Sequence, residues 1–297
     1  MVENKRAAIT SQVILNAVFV VVSLVFIIPL ILVISASLTN EQSIKMYGYN
    51  LFPRVFDLKA YNYLFQAPDK ILDAYAVTFF SSVVGSFLSV IVMGLVAYAI
   101  SRRDFAYRKI ITQIIFITMI VNGGLIPTYL FISQNLKMID SIWVYILPGL
   151  VSAWYVLIMR TFFQSIHVSL IESAKIDGCS ELGIFFKIVV PLSKPVVATI
   201  ALFVMLNRWN EWMATLLYIR NDRLYTLQFL LQRILREASF IKEALMKLPA
   251  GMLAAAELPE LSLRYAMTVV AAGPMLLVFP FFQKYFTKGL TVGAVKG

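Results

Sequence analysis

The chain has 297 residues, 60% of them hydrophobic and only 14% charged, with a formal net charge of +10 and a mean hydropathy of +0.81. A soluble domain runs at about 45–50% apolar and about 25% charged residues, so this chain has too few charges to cover a water-facing surface, and a soluble globular enzyme is excluded. Its high apolar content excludes disorder, and Cys179, the one cysteine, excludes a disulfide-built secreted protein.

What remains is an all-α polytopic membrane protein. The charges are spaced to match. Between Arg6 and Glu41 lie 34 uncharged residues, between Asp73 and Arg102 lie 28, and between Lys109 and Lys137 lie 27. Asp140 to Arg160 and Arg264 to Lys284 each enclose 19, and Lys194 to Arg220 is interrupted only by Arg208 and Glu211. A spanning helix needs about 20 mostly apolar residues. The pattern predicts six transmembrane helices, near 12–36, 74–100, 110–133, 141–160, 194–218 and 264–284. Lys5, Arg6 and the small residues Ser35-Ala36-Ser37 resemble a signal peptide. The first apolar run is too long for one, since such cores are about 7–15 residues, and an uncleaved first helix is expected.

Orientation follows from basic residues in short loops. Residues 101–109 hold Arg102, Arg103, Arg108 and Lys109, whereas 135–140 holds only Lys137. The first loop is therefore expected inside and the second outside. Six spans then place both termini in the cytoplasm, 161–193 inside, and 37–72 and 219–262 outside. Six basic residues in 219–262 run against the rule, but long loops count less in it. The positive charge calls for no nucleic acid, because basic loops beside anionic lipid account for it at least in part.

No GxxxxGK[ST] phosphate loop is present, so the chain has no ATPase site of that kind. HExxH, CxxC and GxSxG are also missing, and His167, the sole histidine, cannot form a metal cluster alone. Glu211 is the only carboxylate inside a predicted span, which disfavours an ion-coupled carrier.

The loop between the fourth and fifth predicted spans is the most informative segment. Val168–Asp177 suits a short helix, with Ile166, Leu170 and Ala174 recurring at i, i+4 and i+8 as an apolar stripe. Gly178 is a left-handed stop, and Ser180 can cap a second helix over 181–189. Pro191 and Pro195 end that helix and restart the chain. Ser173 and Ala174 offer close approach to a partner, and Glu172 and Asp177 offer acidic tips. An ordinary amphipathic interfacial loop fits the same physics.

The run Glu172-Ser173-Ala174-Lys175-Ile176-Asp177-Gly178, followed at a distance by Pro191, resembles the "EAA" loop of binding-protein-dependent ABC importer permeases. Gly124-Leu125-Ile126-Pro127-Thr128, Trp209-Asn210-Glu211-Trp212 and Tyr225-Thr226-Leu227-Gln228 are similar to the carbohydrate-uptake branch. The tail from Phe281 to Gly297 resembles the maltose-type inner-membrane subunit and its lipo-oligosaccharide and aldouronate relatives. His167 stands where that family often has proline, and Cys179 where it usually has alanine.

The resemblance implies a type I ABC importer transmembrane-domain fold. Residues 1–72 would be an N-terminal helix plus outer loop, 73–285 the transmembrane domain with its coupling loop 161–193, and 286–297 a cytoplasmic tail. It implies that Glu172, Ser173, Ala174, Asp177, Gly178 and Pro191 dock an ATPase. The implied partners are a second homologous permease chain, two ATPase subunits and an extracytoplasmic sugar-binding protein. ATP and Mg would be bound by the ATPase, leaving this chain without cofactor in a bacterial cytoplasmic membrane. An importer of amino acids or peptides, or an ATP-independent channel or carrier, are the alternatives.

For the substrate path, Arg208 and Glu211 share a helix face and can pair. Lys194 to Arg208 is about 21 Å of helical rise, which puts the pair in the outer half of the membrane. Asn207, Asn210 and Trp209 lie beside them, with Trp212 a turn from Trp209. Amides, charges and flat rings suit sugars, while a structural ion pair with an interfacial tryptophan belt is the plainer reading. Asn122, next to Gly123 and Gly124, suggests a helix break facing a cavity, or close helix packing through the glycines.

Overall fold

A computed structural model of the chain describes residues 2–246 and 259–294. Residues 247–258 of the expected outer loop and 295–297 of the tail lie outside it. The described residues are helical, without a strand; one isolated bridge joins Thr39 and Phe56. The chain divides into two compact units, residues 1–68 with 231–274, and 69–230 with 275–297.

The first unit opens with α1, Val2–Ser37. Its side chains from 12 to 31 are all exposed, so an apolar helix presents its whole circumference to lipid or another chain. Two short helices follow, α2 (Glu41–Tyr47) and α3 (Lys59–Leu64). The Asn40 side chain caps α2 by accepting from the Gln42 N–H at 3.0 Å. The buried Glu41 carboxylate accepts from the N–H groups of Leu261 and Ser262, at 2.9 and 3.2 Å, in the first turn of the last helix. It thereby satisfies donors that a helix start leaves orphaned.

The second unit is built on α4, Pro68–Ser101. Small residues line its buried side at Ser81, Ser82, Gly85, Ser86 and Ser89, which lets neighbouring backbone approach closely. Its lower half joins one core: Met93, Ala97 and Ile100 pack with Val156, Met159 and Phe163, with Ile171 and Ala174, and with Ile184, Phe185, Val196 and Ile200.

Three of the predicted spans, 110–133, 141–160 and 194–218, are broken, while 264–284 lies within one helix. α5 (Arg108–Ile120) and α6 (Leu125–Leu130, continued by a π turn over Phe131–Asn135) meet at a bend of 113°. The cause is local: the Asn122 side chain accepts from the Gly124 N–H at 2.9 Å, and Gly124 sits at φ +83, where glycine is free of strain. The segment expected as one span over 141–160 is a short 3₁₀ turn, Ile142–Tyr145, then irregular chain through Pro148 and Gly149, then α7, Ala153–Gln164. At 12 residues, or about 18 Å of rise, α7 is shorter than a bilayer core.

α8 (Val168–Ile176) and α9 (Glu181–Ile184) follow. The chain then runs without a break through a π turn, Phe185–Val189, into α10, Val190–Leu192, bends by 87° at Ser193, and enters α11, Lys194–Trp209. α11 stops at Asn210, and α12 (Met213–Tyr218) resumes after a gap, so 194–218 is two helices rather than one. α13 (Leu227–Met246) and α14 (Glu260–Ala294) complete the chain; residues 286–294 of the expected tail are the end of α14. Among the described residues, three single helices are long and apolar enough to cross a membrane, or up to five spans if each bent pair counts once.

Candidate functional site

The 161–193 loop forms the expected helix–turn–helix. α8 ends at Asp177, Gly178 takes the left-handed conformation at φ +79, and the Ser180 hydroxyl accepts from the Gly183 N–H at 3.2 Å to start α9. Pro191 is exposed and does not end the second helix; it sits just past the π turn, within a helical run that reaches Leu192.

The buried stripe of α8 differs from expectation. Ile171 and Ala174, one turn apart, enter the core, while Leu170 is exposed. Ala174 is only 5% exposed, so its small side chain serves close approach to α4, α7 and α9 rather than to a partner. Ser173, Ile176, Asp177 and Gly178 remain on the outer surface, and Ile176, an apolar side chain, is 86% exposed among the described residues. Glu172 is exposed and lines a cavity between α8 and the end of α4.

An ion network ties this loop to α4. Lys175 donates to Asp104 at 3.0 Å and to Glu181 at 2.6 Å, the Tyr98 hydroxyl donates to Glu181 at 2.6 Å, and Arg102 lies 3.3 Å from Asp104. Glu181 and Asp104 hold the Lys175 ammonium above the ordinary lysine range, and Lys175 in turn holds the Asp104 carboxyl below its ordinary value. The sequence reading missed this network. The available signal was Ser180, whose cap folds Glu181 back towards Lys175 across the Gly178 turn.

The second site is a cavity of about 410 Å³ lined by Asn207, Arg208 and Glu211 together with Trp154, Tyr155 and Tyr218. Asn207 approaches the Tyr155 hydroxyl at 3.4 Å. Glu211 accepts from the Ala214 N–H at 2.9 Å, capping the start of α12. Among the described residues no ion pair joins Glu211 to Arg208, contrary to the expected pairing. The Arg208 guanidinium turns instead to the carbonyls of Tyr145, Ile146 and Gly149 and to the Ser89 hydroxyl. The Arg208 side chain passes over Gly85, where an added Cβ would come within 2.8 Å of its Cδ, Nε and Cζ. Arg208 is thus a buried post holding the irregular 145–149 wall against α4.

Asn210 bonds the Leu206 carbonyl at 2.8 Å and accepts from Gln228 at 3.2 Å. Trp209 is buried, with its ring 6.5 Å from that of Tyr75. Neither lines the 410 Å³ cavity. Asn122 is exposed at the α5–α6 break. The tryptophan that lines the cavity is instead Trp154, early in α7, which its sequence neighbours gave no reason to single out.

The folded chain is therefore a multi-pass helical membrane protein with a small helix–turn–helix set into its core and a polar cavity at a broken helix. Residues 67–292 match the family of binding-protein-dependent transport system inner membrane components, and the chain belongs to that family. It is 40% identical over 275 residues to YtcP of Bacillus subtilis, a polygalacturonan/rhamnogalacturonan transport system permease protein, covering 93% of this chain and 94% of that one. It is 31% identical to AraQ, an arabinooligosaccharides transport system permease protein of the same organism, over 95% of each chain. A crystal structure of a bacterial ABC transporter that imports the acidic polysaccharide alginate contains a chain that superposes with a TM-score of 0.76, at 28% identity, over 92% of this chain and 95% of that one.

Proposed function

We propose that this chain is the permease subunit of an ATP-driven importer of oligosaccharides. In this reading α8 is the coupling helix that seats on a separate ATPase, which binds the ATP and Mg. The observation that carries it is the two-sided character of α8 within a chain of this family. Ile171 and Ala174 fix the helix in the transmembrane core, while Ser173, Ile176, Asp177 and Gly178 stay outside for a partner. The permease relatives name oligo- and polysaccharides, which favours a sugar over an amino acid or peptide. YtcP and the alginate importer carry acidic chains.

Six spans, counting the broken segments, would place both termini and the 161–193 loop on the cytoplasmic side. A second homologous permease chain would complete the path, two ATPase subunits would dock below, and an extracytoplasmic sugar-binding protein would deliver substrate. Closure of the ATPase dimer would move α8, and the Lys175–Asp104–Glu181 network would carry that motion into α4 as rigid-body alternating access. Asn207, Glu211 and the Trp154 and Tyr155 rings would meet the sugar, with Arg208 holding the wall behind them.

The test is reconstitution of this chain with its companion permease, ATPase and binding protein in liposomes. ATP-dependent accumulation of an oligosaccharide, uronate-containing or neutral, supports the reading. Accumulation without ATP, or of amino acids in preference to sugars, contradicts it.

A further inference from the structure

A second cavity, of about 680 Å³, lies between α8, the end of α7 and the 101–108 turn that joins α4 to α5. Four cations line it, Arg102, Arg103, Arg108 and Lys175, against two carboxylates, Asp104 and Glu172. Arg102 is engaged with Asp104, and Lys175 with Asp104 and Glu181. Among the described residues no carboxylate bridges Arg103 or Arg108. The lining thus holds a net positive charge, with two guanidinium groups left for an anion from outside the chain. The exposed lining residues are Arg103, Asp104, Gln164, Val168, Glu172 and Lys175. All but Val168 are polar, so the mouth suits water or a polar protein surface rather than acyl chains.

The register of α8 shows where the cavity opens. An α-helix turns about 100° per residue, so Lys175, Val168 and Glu172, the exposed α8 residues of the wall, lie within about 60° of one another. Ile176 follows about 40° beyond Glu172, with Ser169 and Ser173 next in the same direction, all of them exposed. The cavity wall and the sector of Ile176 and Ser173 are therefore neighbouring strips of one exposed surface of α8. That second sector is the one offered to the ATPase in the function proposed above. We propose that Arg103 and Arg108 form a second ATPase contact, holding an acidic side chain of the ATPase at the edge of the coupling-helix face. The inference rests on the reading of α8 as the coupling helix. Guanidinium forks match carboxylate oxygens in paired hydrogen bonds. Arg103 follows the end of α4 and Arg108 opens α5. The contact would thus tie the ATPase to α4 and α5 as well as to α8, and fix its orientation on the chain. Charges at the rim of an interface act mainly on the rate and register of docking.

The experiment measures binding of the purified ATPase to this chain and its companion permease in nanodiscs, at low and at high salt. Wild type should bind more slowly and more weakly at high salt. Arg103→Gln with Arg108→Gln should weaken binding at low salt roughly five- to thirtyfold and flatten the salt dependence. Arg103→Lys with Arg108→Lys, which keeps the charge, should lose less and keep the salt dependence, and both variants should keep the wild-type melting temperature. Equal losses in the Gln and Lys variants would show that the ATPase does not read this charge, and would overturn the contact. Ile176→Asp, run in parallel, separates this inference from the reading beneath it and should abolish binding at either salt. Binding lost with Ile176→Asp but unchanged in the Gln variant would overturn the arginine contact and leave the coupling helix in place. Binding unaffected by Ile176→Asp would overturn the coupling-helix reading and this inference with it.

Discussion

Gly85 and Arg208 lie far apart in sequence and act as one unit. The guanidinium holds three backbone carbonyls and Ser89, and the bare glycine leaves room for the Arg208 side chain. Gly85→Ala is expected to cost about 1–3 kcal/mol through overpacking, read as a lower melting temperature in detergent. In an Arg208→Ala background the same change should cost close to nothing, because the clashing atoms are gone. Additive losses would show that the two do not share this contact. At Gly178 the reason is conformational: with φ at +79 and open space around it, Gly178→Ala carries about 1 kcal/mol of backbone strain and no clash. That glycine was legible from its place at the end of an amphipathic stretch. Arg208 was legible only as a charge inside a span. Its partners are mostly backbone carbonyls, which leave no trace in residue identity, so the expected pairing with Glu211 was the nearest sequence-visible guess.

At the level of elements, α8, the Gly178 turn and the Ser180 cap could be read from sequence because each rests on local chemistry. The straight spans expected at 110–133, 141–160 and 194–218 could not, since apolar composition reports burial in lipid or protein without reporting continuity. The breaks were marked by Asn122-Gly123-Gly124, by Pro148-Gly149 and by the polar stretch ending at Asn210. Irregular backbone at such depth is tolerated only where protein or water covers it, so composition understates how much of this chain is enclosed.

The Lys175 network belongs to this scale. Its pairs are partly exposed and contribute little stability, on the order of 0–1 kcal/mol each, so Lys175→Met should melt near wild type. Its effect is expected in coupling: transport per ATP hydrolysed should fall about two- to thirtyfold, with Lys175→Arg restoring most of it. A fall in ATPase docking instead would place Lys175 on the docking surface. The pH dependence follows from the shifts. Asp104 is held low, so its share is present above the ordinary carboxylate value of 3.8 and lost as pH falls through its lower folded value. Lys175 is held high, so its share is present below 10.5 and lost as pH rises through its higher folded value. The bridge should therefore be constant between about pH 5 and 9. A Lys175-dependent change in coupling between pH 6 and 8 would contradict it. In the first unit, Glu41→Gln should weaken the tie to the start of α14 by about 1–2 kcal/mol, because a charge-assisted acceptor for two backbone donors becomes a neutral one. The measurement is protection of the Leu261 and Ser262 amides in hydrogen exchange.

On the scale of the molecule, an apolar chain with 14% charged residues gathers polar groups at the α8 loop and at the cavity at the end of α11, the two surfaces to which the proposed function assigns work. Membership of the family of binding-protein-dependent inner membrane components gives those surfaces their context. The central claim is that the outer face of α8 carries an ATPase. It is tested most directly by co-purifying the tagged chain, wild type against Ile176→Asp, from membranes that also hold its companion permease and ATPase. Ile176 is exposed and outside the core, so the variant should fold and keep its companion permease. We predict that the ATPase is recovered with wild type and lost with Ile176→Asp. Recovery of the ATPase in equal amount with both chains, or with neither, would contradict the assignment of α8 as the coupling helix.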